Sequence, residues 1–460
     1  MKTIKKLLSK GDDSDSIAEG KNLWKSPNIN FQYHISDKSD VVHNTDRQVI
    51  YKDDLKKRKE IYGICGECGE PGTGRNWCQP CNAERFKENF INWTSGNKDI
   101  DELIQQSQLN AVYYTKCLEW IPFEKFENVA YATKGGFSKI YSADWPEGYI
   151  HYWDIENQKW DRFQDTKVAL KSLNNSSEIS TEFLNEIKSY ISDELSYVIP
   201  CFGITQDPNT KDYMIVLFYC QEGNLRNCLN KSVEFHSKIE ILNNITSGLL
   251  HIHSAGKVHK DFHSGNILFA NIYNAFISDL GMCQPANNEK QSIKKGVYGV
   301  LPYMAPEILR GNQYTKAADI YSFGIIMNEY LSEEIPYYDI PHDNDLAIKI
   351  CRGLRPKISD DTPKLIADLI NKCWDAKPEN RPTSKKLCQI LEGWREQILD
   401  RKGEIYSQIK DCEKIKETKS ENRSIDKDPE NIQINPQAIY TSRLLTFEDL
   451  PEPVNAIDFY

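Results

Sequence analysis

The amino-acid sequence predicts an α+β fold, in which a strand-rich segment is followed by a mainly helical one. Short apolar and β-branched runs recur after about Glu119, and longer segments with apolar residues at every third or fourth position continue to about Arg395. A cluster of cysteines and glycines at residues 65–81 precedes both segments. Since a chain of 460 residues has room for two or three domains, this cluster is expected to form a small module in front of the α+β domain.

The composition is that of a globular protein with polar segments outside its core. Hydrophobic residues make up 39% of the chain and charged residues 27%, and the net charge is -10. This acidic balance disfavours nucleic acid as a partner. The apolar pairs near the N-terminus are too short for a signal-peptide core, and no run approaches the roughly 18 apolar residues of a membrane span. A soluble, cytoplasmic protein without a membrane partner is expected, and the nucleus stays open as an alternative.

Composition also predicts where the segments begin and end. Residues 1–58 are rich in Ser, Asp, Asn and Lys, and residues 400–460 are charged and poor in large apolar side chains, so both are predicted to be disordered. Residues 59–115 are predicted to form the cysteine module with its following helices, and residues 118–396 the α+β domain.

The cysteine module contains two CxxC pairs, formed by Cys65 with Cys68 and by Cys78 with Cys81. Two such pairs are the usual way to present four thiolates to a tetrahedral Zn²⁺, and four cysteines leave no open coordination position for catalysis. The sequence therefore predicts a structural zinc site, with four reduced thiols or a redox pair as the alternative. Acidic and basic residues balance around it, so a fold-stabilising or partner-binding role is favoured over nucleic-acid binding.

The α+β segment contains a series of motifs whose order is as informative as their letters. From the N-terminal side they are YATKGGFSKIY (131–141), VALK (168–171), TEFLNEIKSYI (181–191), YMIVLFYC (213–220), VHKDFHSGNIL (258–268), NAFISDLG (274–281), YMAPEIL (303–309), DIYSFG (319–324) and CWDAKPENRPT (373–383). In this order they resemble the protein kinase family over about residues 118–396. The resemblance implies a bilobal fold, with an antiparallel β-sheet and one helix in the N-terminal lobe and a mainly helical C-terminal lobe. It also implies ATP and Mg²⁺ as cofactors and proteins as substrates.

The glycine-containing motif is similar to the loop by which kinases hold nucleotide phosphates. Gly135 and Gly136 are kept, while Thr133 and Ser138 stand where the family's outer glycines would be, and Ile140 follows. Taken alone, the motif is better interpreted as an ordinary hairpin turn.

The VALK motif reads as a strand, in which Ala169 and Lys171 share one face and Val168 and Leu170 the other. The resemblance implies that Ala169 admits the adenine base, that Lys171 pairs phosphate oxygens, and that Glu186 on the next helix orients Lys171. A solvated lysine and an ordinary surface glutamate are the alternatives.

The apolar strand that follows is similar to the strand leading into the kinase hinge. The resemblance implies that Leu217 is the gatekeeper and that Phe218, Tyr219 and Cys220 form the hinge that meets adenine through its backbone.

The stretch VHKDFHSGNIL is similar to the kinase catalytic loop. His259, Lys260 and Asp261 stand at the positions of the family's His-Arg-Asp, with Asn266 at the expected spacing and Asp279 in the metal-binding turn. The resemblance implies that Asp261 positions the acceptor hydroxyl and that Asn266 and Asp279 hold Mg²⁺.

Two departures concern the substrate side of this loop. His263 replaces the usual Lys of serine/threonine kinases, and Val300 replaces the Thr that bonds to that Lys in the family. Losing one charge-stabilising donor costs on the order of 3 kcal/mol, or roughly a hundredfold in rate. A slow enzyme is predicted, with His263 either in that catalytic role or as a packing residue, and with a pseudokinase scaffold as the alternative function.

The remaining motifs concern structure, acceptor and regulation. The resemblance implies a buried link between Glu307 and Arg381 and a brace of the catalytic loop by Asp319. The motif forms are most similar to the tyrosine-kinase-like group and to expanded fungal kinase-like proteins, which implies Ser or Thr acceptors. Ser292 is the candidate regulatory site, with an unmodified serine as the alternative. The aromatic insertion at residues 145–163 is predicted to be a hairpin used for packing or docking, and the oligomeric state stays open.

Overall fold

A computed structural model of the protein describes residues 33–36, 48–136, 138–173, 176, 179–191, 197–286, 296–422 and 434–455. The chain divides into two compact units. The first comprises Met1–Ala132, Tyr141–Ile179 and Pro200–Phe218, and the second comprises Thr133–Ile140, Ser180–Ile199 and Tyr219–Tyr460.

The chain up to residue 218 is rich in strands. The strands are β1 (Tyr33–Ser36), β2 (Gln48–Tyr51), β3 (Glu119–Trp120), β4 (Glu127–Lys134), β5 (Ser138–Trp145), β6 (Tyr149–Asp154), β7 (Lys159–Phe163), β8 (Thr166–Leu173), β9 (Cys201–Gln206) and β10 (Tyr213–Phe218). The helices are α1 (Leu55–Tyr62), α2 (Gln79–Asn89), α3 (Lys98–Asn110) and α4 (Thr181–Ile191).

A six-stranded sheet has the strand order β3-β9-β10-β8-β5-β4. Strand β10 runs antiparallel to both β8 and β9, whereas β3 pairs with β9 in parallel. One face of this sheet is apolar because alternate residues point the same way, and Val168, Leu170, Met214 and Val216 all join a buried cluster with Trp145. The residues between them, Ala169 and Lys171 of β8 and Ile215 and Leu217 of β10, therefore lie on the opposite face of the sheet.

The aromatic insertion forms the β6–β7 hairpin, which packs against the cysteine module. The Trp160 ring stacks on Trp77 and Phe86 at centroid distances of 5.8 and 4.8 Å. The Arg85 guanidinium lies 4.4 Å from the Trp153 ring centroid, as a cation–π pair. These contacts support the packing interpretation of the insertion, because its aromatic side chains are used within the first unit.

The chain after residue 218 is mainly helical. Its helices are α5 (Phe235–Ser254), α6 (Pro306–Leu309), α7 (Lys316–Ser332), α8 (Asn344–Cys351), α9 (Lys364–Cys373), α10 (Ser384–Leu399) and α11 (Glu404–Asn422). Its strands are β11 (Lys257–Val258), β12 (Ile267–Asn271), β13 (Asn274–Ile277), β14 (Gln284–Pro285), β15 (Val297–Gly299) and β16 (Arg443–Leu445). The predicted α+β class, with a β-sheet part before a helical part, is confirmed.

Helix α7 forms the centre of the second unit. It is buried along nearly its whole length, from Ala318 to Leu331, as expected for a helix that is apolar on most sides. Two later helices begin at side-chain caps, since Asp343 accepts from the first amides of α8 and Thr383 from the Lys386 amide of α10. Among the described residues, no helix combines the length and the apolar character that crossing a membrane requires.

The two ends for which disorder is predicted contain regular elements where the structure describes them. In residues 1–58, strands β1 and β2 pair in parallel. In residues 400–460, helix α11 forms, and residues 434–455 contact the second unit through backbone and polar hydrogen bonds. Composition did not indicate the latter segment, because hydrogen bonds of its backbone and polar groups, which composition does not show, help to hold it in place.

Candidate active site and cysteine centre

Strands β8 and β10 place three of the predicted nucleotide-contacting residues on one face of the first unit. Ala169 lies directly opposite Leu217, and Lys171 lies opposite Ile215. Since Val168 and Leu170 point into the core, Ala169 and Lys171 share the other face, as the alternation of the VALK motif predicts. Lys171 is only 4% exposed, so it is not a solvated edge residue.

The predicted hinge follows β10 directly. Phe218 ends the strand and packs against the apolar cluster of the sheet. In the second unit, Tyr219 is half-buried and Cys220 is buried, and burial raises the pKa of the Cys220 thiol to about 12. The Cys220 carbonyl accepts a hydrogen bond from the Gly223 amide at 3.3 Å, which turns the chain after the hinge segment.

The glycine-containing turn, residues 133–140, belongs to the second unit. The Gly135 amide donates to the Ser138 carbonyl at 2.8 Å, which closes the turn between β4 and β5, and Ile140 lies in β5. A Cβ on Gly136 would lie 2.7 Å from the carbonyl oxygen of Ser442. Gly136 is therefore required by a close approach of the C-terminal segment, which the sequence did not predict.

His263 and Asp261 face each other in the catalytic-loop segment. Nδ1 of His263 accepts a hydrogen bond from the Gly265 amide at 3.0 Å, so the ring proton is assigned to Nε2. Nε2 lies 3.6 Å from Oδ2 of Asp261. His263 is buried, and its two nitrogens are thus both directed by neighbours within the loop.

Asp261 is held as a carboxylate. Burial alone would raise its pKa, but the nearby His263, the hydrogen bond from Ser442 and His259 together lower it to about 2. The Ser442 hydroxyl donates to Oδ1 at 2.6 Å. A carboxylate with so low a pKa is a weak base. It can accept a proton only from a hydroxyl that is itself becoming acidic, as in a phosphoryl-transfer transition state.

The β12–β13 hairpin brings Asn266 beside Asp279. Ile267 pairs with Ile277, and the Ser278 amide donates to the Asn266 carbonyl at 2.8 Å, so Ser278 lies across from Asn266 and Asp279 is the next residue. The Asn266 amide nitrogen donates to the Asp261 backbone carbonyl at 2.8 Å. This bond leaves Oδ1 as the ligand atom of Asn266, and amide and carboxylate oxygens are the ligands that Mg²⁺ prefers.

Glu186 lies in the second unit next to the Asp279 turn. A Cβ on Gly281 would lie 3.0 Å from Oε2 of Glu186 and 3.4 Å from Oδ1 of Asp279. Tyr190, one turn later on α4, donates to Oε1 of Glu186 at 3.3 Å. Glu186 is 1% exposed, so the surface-glutamate alternative does not describe it.

Asp319 braces the catalytic loop from α7. Its Oδ2 accepts from the His259 amide at 2.8 Å and lies 2.9 Å from Nε2 of His253, and its Oδ1 accepts from the Lys260 amide at 3.1 Å. Lys260 and Asp279 both have left-handed backbones, with φ of 72° and 58°. Such conformations are costly for residues with a side chain, and the brace from Asp319 provides compensation at Lys260.

The predicted link between Glu307 and Arg381 is confirmed. The two guanidinium nitrogens of Arg381 donate to the two carboxylate oxygens of Glu307 at 2.6 and 2.8 Å. This bidentate pair is buried and connects the segment after β15 to the start of α10.

A second polar network beneath the catalytic loop was not predicted. Tyr303 donates to Oε2 of Glu329 at 2.7 Å, and Ser264 donates to Oε1 at 3.1 Å. The Nε atom of Arg226 lies 3.5 Å from the same carboxylate. Burial raises the pKa of Glu329, although Arg226 and these hydrogen bonds oppose that shift. An acidic residue within the apolar run of α7 was the only sequence signal for this network.

The candidate regulatory serine, Ser292, lies outside the described residues. Of the two tyrosines in the same segment, Tyr298 is 42% exposed, whereas Tyr303 is buried in the network with Glu329. Tyr303 is therefore not accessible for modification in this conformation.

The four cysteines of the first module converge on one point. The sulfurs of Cys65, Cys68, Cys78 and Cys81 all lie within 4.8 Å of one another. The Cys65–Cys81 and Cys68–Cys78 distances are 3.9 and 3.6 Å. A tetrahedron with metal–sulfur bonds of about 2.3 Å has edges of about 3.8 Å, so these sulfurs fit Zn²⁺. Hydrogen bonding with Cys78 lowers the pKa of Cys65, which favours the thiolate form that a metal ligand requires.

Comparison with known proteins identifies relatives of the chain. It is 32% identical over 183 residues to a probable LIM domain-containing serine/threonine-protein kinase of Dictyostelium discoideum, a match that covers 38% of this chain and 28% of the relative. It is 27% identical over 272 residues to a probable serine/threonine-protein kinase of the same organism, covering 56% of this chain and 19% of the relative.

A third relative from Dictyostelium discoideum is the dual specificity protein kinase pyk3, which is 26% identical over 323 residues. That match covers 68% of this chain and 22% of the relative, so the chain spans only a minor part of each of these longer proteins. The sequence profile described as protein tyrosine and serine/threonine kinase matches residues 128–391, more than half of the chain. The protein therefore belongs to the protein tyrosine and serine/threonine kinase family.

Proposed function

We propose that the protein transfers the γ-phosphate of ATP to serine or threonine hydroxyls of protein substrates. The observation that carries this proposal is the linked arrangement of Asp261, Asn266 and Asp279 in the second unit. Asn266 hydrogen-bonds to Asp261, and the β12–β13 register sets it next to Asp279. Phosphoryl transfer needs a positioned hydroxyl and oxygen ligands for Mg²⁺, and these three residues supply both.

Each residue has a defined task in this proposal. Asp261 orients the acceptor hydroxyl and takes its proton, since it is a carboxylate at neutral pH. Oδ1 of Asn266 and the carboxylate of Asp279 would hold Mg²⁺, which when bound neutralises phosphate charge. His263 presents its Nε2 proton on the substrate side of Asp261, in place of the lysine ammonium of related kinases.

The proposed nucleotide contacts follow from the resemblance and from the face of β8 and β10 that lies opposite the apolar cluster. In the first unit, Ala169 and Leu217 would meet adenine, and Lys171 would pair phosphate oxygens. The backbone of Phe218, Tyr219 and Cys220 would form the hinge. In the second unit, Glu186 would orient the lysine, and the Gly135–Gly136 turn would cover phosphates. The presence of all the charged residues of this set supports an enzyme rather than a scaffold.

Serine and threonine are the proposed acceptors. Two of the relatives are named serine/threonine-protein kinases, and a third is named a dual specificity kinase. The YMAPE and RPT forms of the motifs support membership of the tyrosine-kinase-like group. The residues after Asp261 match neither the usual serine/threonine signature nor the tyrosine one, so the acceptor needs a direct test.

The acceptor is tested with peptide arrays. The full chain is incubated with Mg²⁺ and labelled ATP on peptides that contain Ser, Thr or Tyr as the single acceptor. Label on Ser and Thr peptides, and its loss in Asp261→Asn, is expected. Label confined to Tyr peptides would overturn the proposed acceptor class, and equal label with both proteins would overturn the proposed enzyme.

We also infer that Cys65, Cys68, Cys78 and Cys81 hold a structural Zn²⁺. The sulfur–sulfur distances of 3.6 and 3.9 Å support it, and so does the position of Cys78 at the start of α2. The module packs on the β6–β7 hairpin through Trp77 and Trp160. The proposed role of the ion is therefore to fix this surface of the first unit, within a module predicted at residues 59–115.

A further inference from the structure

The C-terminal segment, residues 434–455, runs over the second unit as an extended strap. At its start, the Asn435 amide donates to the Tyr338 carbonyl at 2.9 Å. Tyr440 donates to the Pro336 carbonyl at 2.8 Å, and its ring lies 4.5 Å from the Arg226 guanidinium. At its end, the Val454 amide donates to the Cys351 carbonyl at 2.9 Å. The strap is thus anchored near both of its ends.

Between these anchors the strap forms β16, which pairs antiparallel with β15. Gly299, Tyr298 and Val297 lie opposite Arg443, Leu444 and Leu445 in a regular register. Leu445 is buried, and a guanidinium nitrogen of Arg443 donates to the His342 carbonyl at 2.7 Å. Strand addition of this kind is a general way for a protein to bind an extended peptide, because the backbone gives affinity and side-chain pockets give register.

This register fixes the residue just before β16, Ser442, in front of Asp261. Its hydroxyl donates to Oδ1 of Asp261 at 2.6 Å, and its carbonyl closely approaches Gly136 of the glycine-containing turn. A proton donor at hydrogen-bond distance from a candidate base is the geometry that general-base catalysis requires. Two neighbouring hydroxyls, those of Thr441 and Thr446, belong to exposed residues.

We propose that the strap is a substrate held within the same chain and that Ser442 is its phosphoacceptor. This inference rests on the proposed kinase function. The Ser442 oxygen forms a bond to the γ-phosphorus of ATP, the bond from that phosphorus to the bridging oxygen of ADP breaks, and the hydroxyl proton passes to Asp261. The products are phosphoserine 442 and ADP.

The reaction has a consequence for other substrates. Before it, the strap occupies the position in front of Asp261 that an acceptor hydroxyl of another protein must take. Afterwards, a phosphate with a charge of about −1.5 to −2 lies beside the Asp261 carboxylate, which favours departure of the strap. Phosphorylation of Ser442 is therefore expected to open the acceptor position.

The test follows the modification in the full chain after phosphatase treatment and removal of the phosphatase. Mg²⁺ and ATP are added at several protein concentrations, and mass spectrometry maps the phosphate with time. Phosphate on Ser442 should appear with a first-order rate that is independent of protein concentration over at least tenfold. It should be absent in Ser442→Ala and in Asp261→Asn, and retained on Ser442 in the control Thr446→Ala.

A second readout follows added peptide substrate in the same samples. Its phosphorylation should show a lag that matches modification of Ser442, and preincubation with ATP should remove the lag. Phosphorylated peptide without phosphate on Ser442 overturns this inference alone, and so does a Ser442 rate that rises in proportion to protein concentration. If neither the peptide nor Ser442 acquires phosphate, the proposed kinase function itself fails.

Discussion

The imidazole of His263 lies beside the carboxylate of Asp261, with Nε2 3.6 Å from Oδ2. The backbone amide of Gly265 holds the other ring nitrogen and thereby fixes the orientation of the ring. A histidine that replaces the usual lysine has thus kept a donor directed at the candidate base. The position of His263 supports a role in orienting charged groups at the candidate active site, although serine/threonine kinases usually have a lysine here.

Replacing His263 should slow the chemical step. Removal of one preorganised donor costs about 2.7–4 kcal/mol, so His263→Ala is expected to lower kcat by about two orders of magnitude, with little change in KM for ATP. Steady-state kinetics with a peptide substrate measures both constants. His236→Ala is the matched control, because His236 is half exposed and lies at the start of α5. An unchanged kcat in His263→Ala would show that His263 is a packing residue.

A methyl group on Gly265 should act through the same imidazole. Its Cβ would lie 2.7 Å from Cε1 and 2.8 Å from Nδ1 of His263, so the ring has to move. Gly265→Ala is expected to lower kcat at least tenfold, because misplacing a catalytic group by about 1 Å has at least this effect in other active sites.

The control for this change is Gly393→Ala, where a Cβ meets nothing within 4 Å in the middle of α10. That variant should keep full activity and gain about 0.5–1 kcal/mol of stability. Equal kinetics of the two alanine variants would contradict the requirement for a fixed His263 ring.

Burial of His259 predicts how stability depends on pH. Burial lowers its pKa, although Asp319, Asp261 and Asp279 oppose the shift. The unfolded chain takes up a proton on this residue near pH 6.5, whereas the folded chain resists it. The contribution to stability is therefore complete above about pH 6.5 and is lost as the pH falls below that value.

The measurement is the free energy of unfolding between pH 8 and pH 5. His259→Gln keeps a donor for the Ser278 carbonyl, which Nε2 of His259 contacts at 3.1 Å, and does not titrate. Its stability should decline less steeply with falling pH than that of the wild type. The same slope in both proteins would assign the decline to other groups, among which are the half-buried His151 and the buried His342.

Zinc removal should loosen the cysteine module. One Zn²⁺ per chain is expected by metal analysis, and a strong chelator should change the fluorescence of Trp77, which is fully buried and stacked on Trp160. Cys65→Ser should lose the metal because a closed four-cysteine site needs every ligand. Cys412→Ser, on α11, should retain it, and metal-free wild type with unchanged fluorescence would contradict the zinc site.

Much of this architecture could be predicted from the sequence, because its signals are local. Strand alternation in VALK placed Ala169 and Lys171 on one face, and the spacing of Asn266 and Asp279 matches the β12–β13 hairpin that joins them. The two cysteines of each CxxC pair are likewise brought together by a short turn between them. Such features need only a few neighbouring residues to be specified.

The rest depends on contacts between residues that are far apart in the chain. Ser442 and Asp261 are separated by 181 positions, and no local period indicates that they meet. The strap lacks the apolar periodicity of a core element, so its composition predicted disorder, although paired backbone groups hold it in place. In the sequence, Glu329 is only a charged residue within an apolar helix. No local pattern indicates that Arg226 and Tyr303, which contact its carboxylate, lie beside it.

The most direct test of the central claim is the rate of γ-phosphate transfer from ATP to peptide after preincubation with Mg²⁺ and ATP, compared between the wild type and Asp261→Asn. Asp360→Asn, at an exposed position, is the matched control. Activity in the wild type and in the control, with a loss of at least a hundredfold in Asp261→Asn, is the predicted result. Equal rates in all three proteins, or no Mg²⁺-dependent transfer in any, would contradict the assignment of this loop as a working catalytic site.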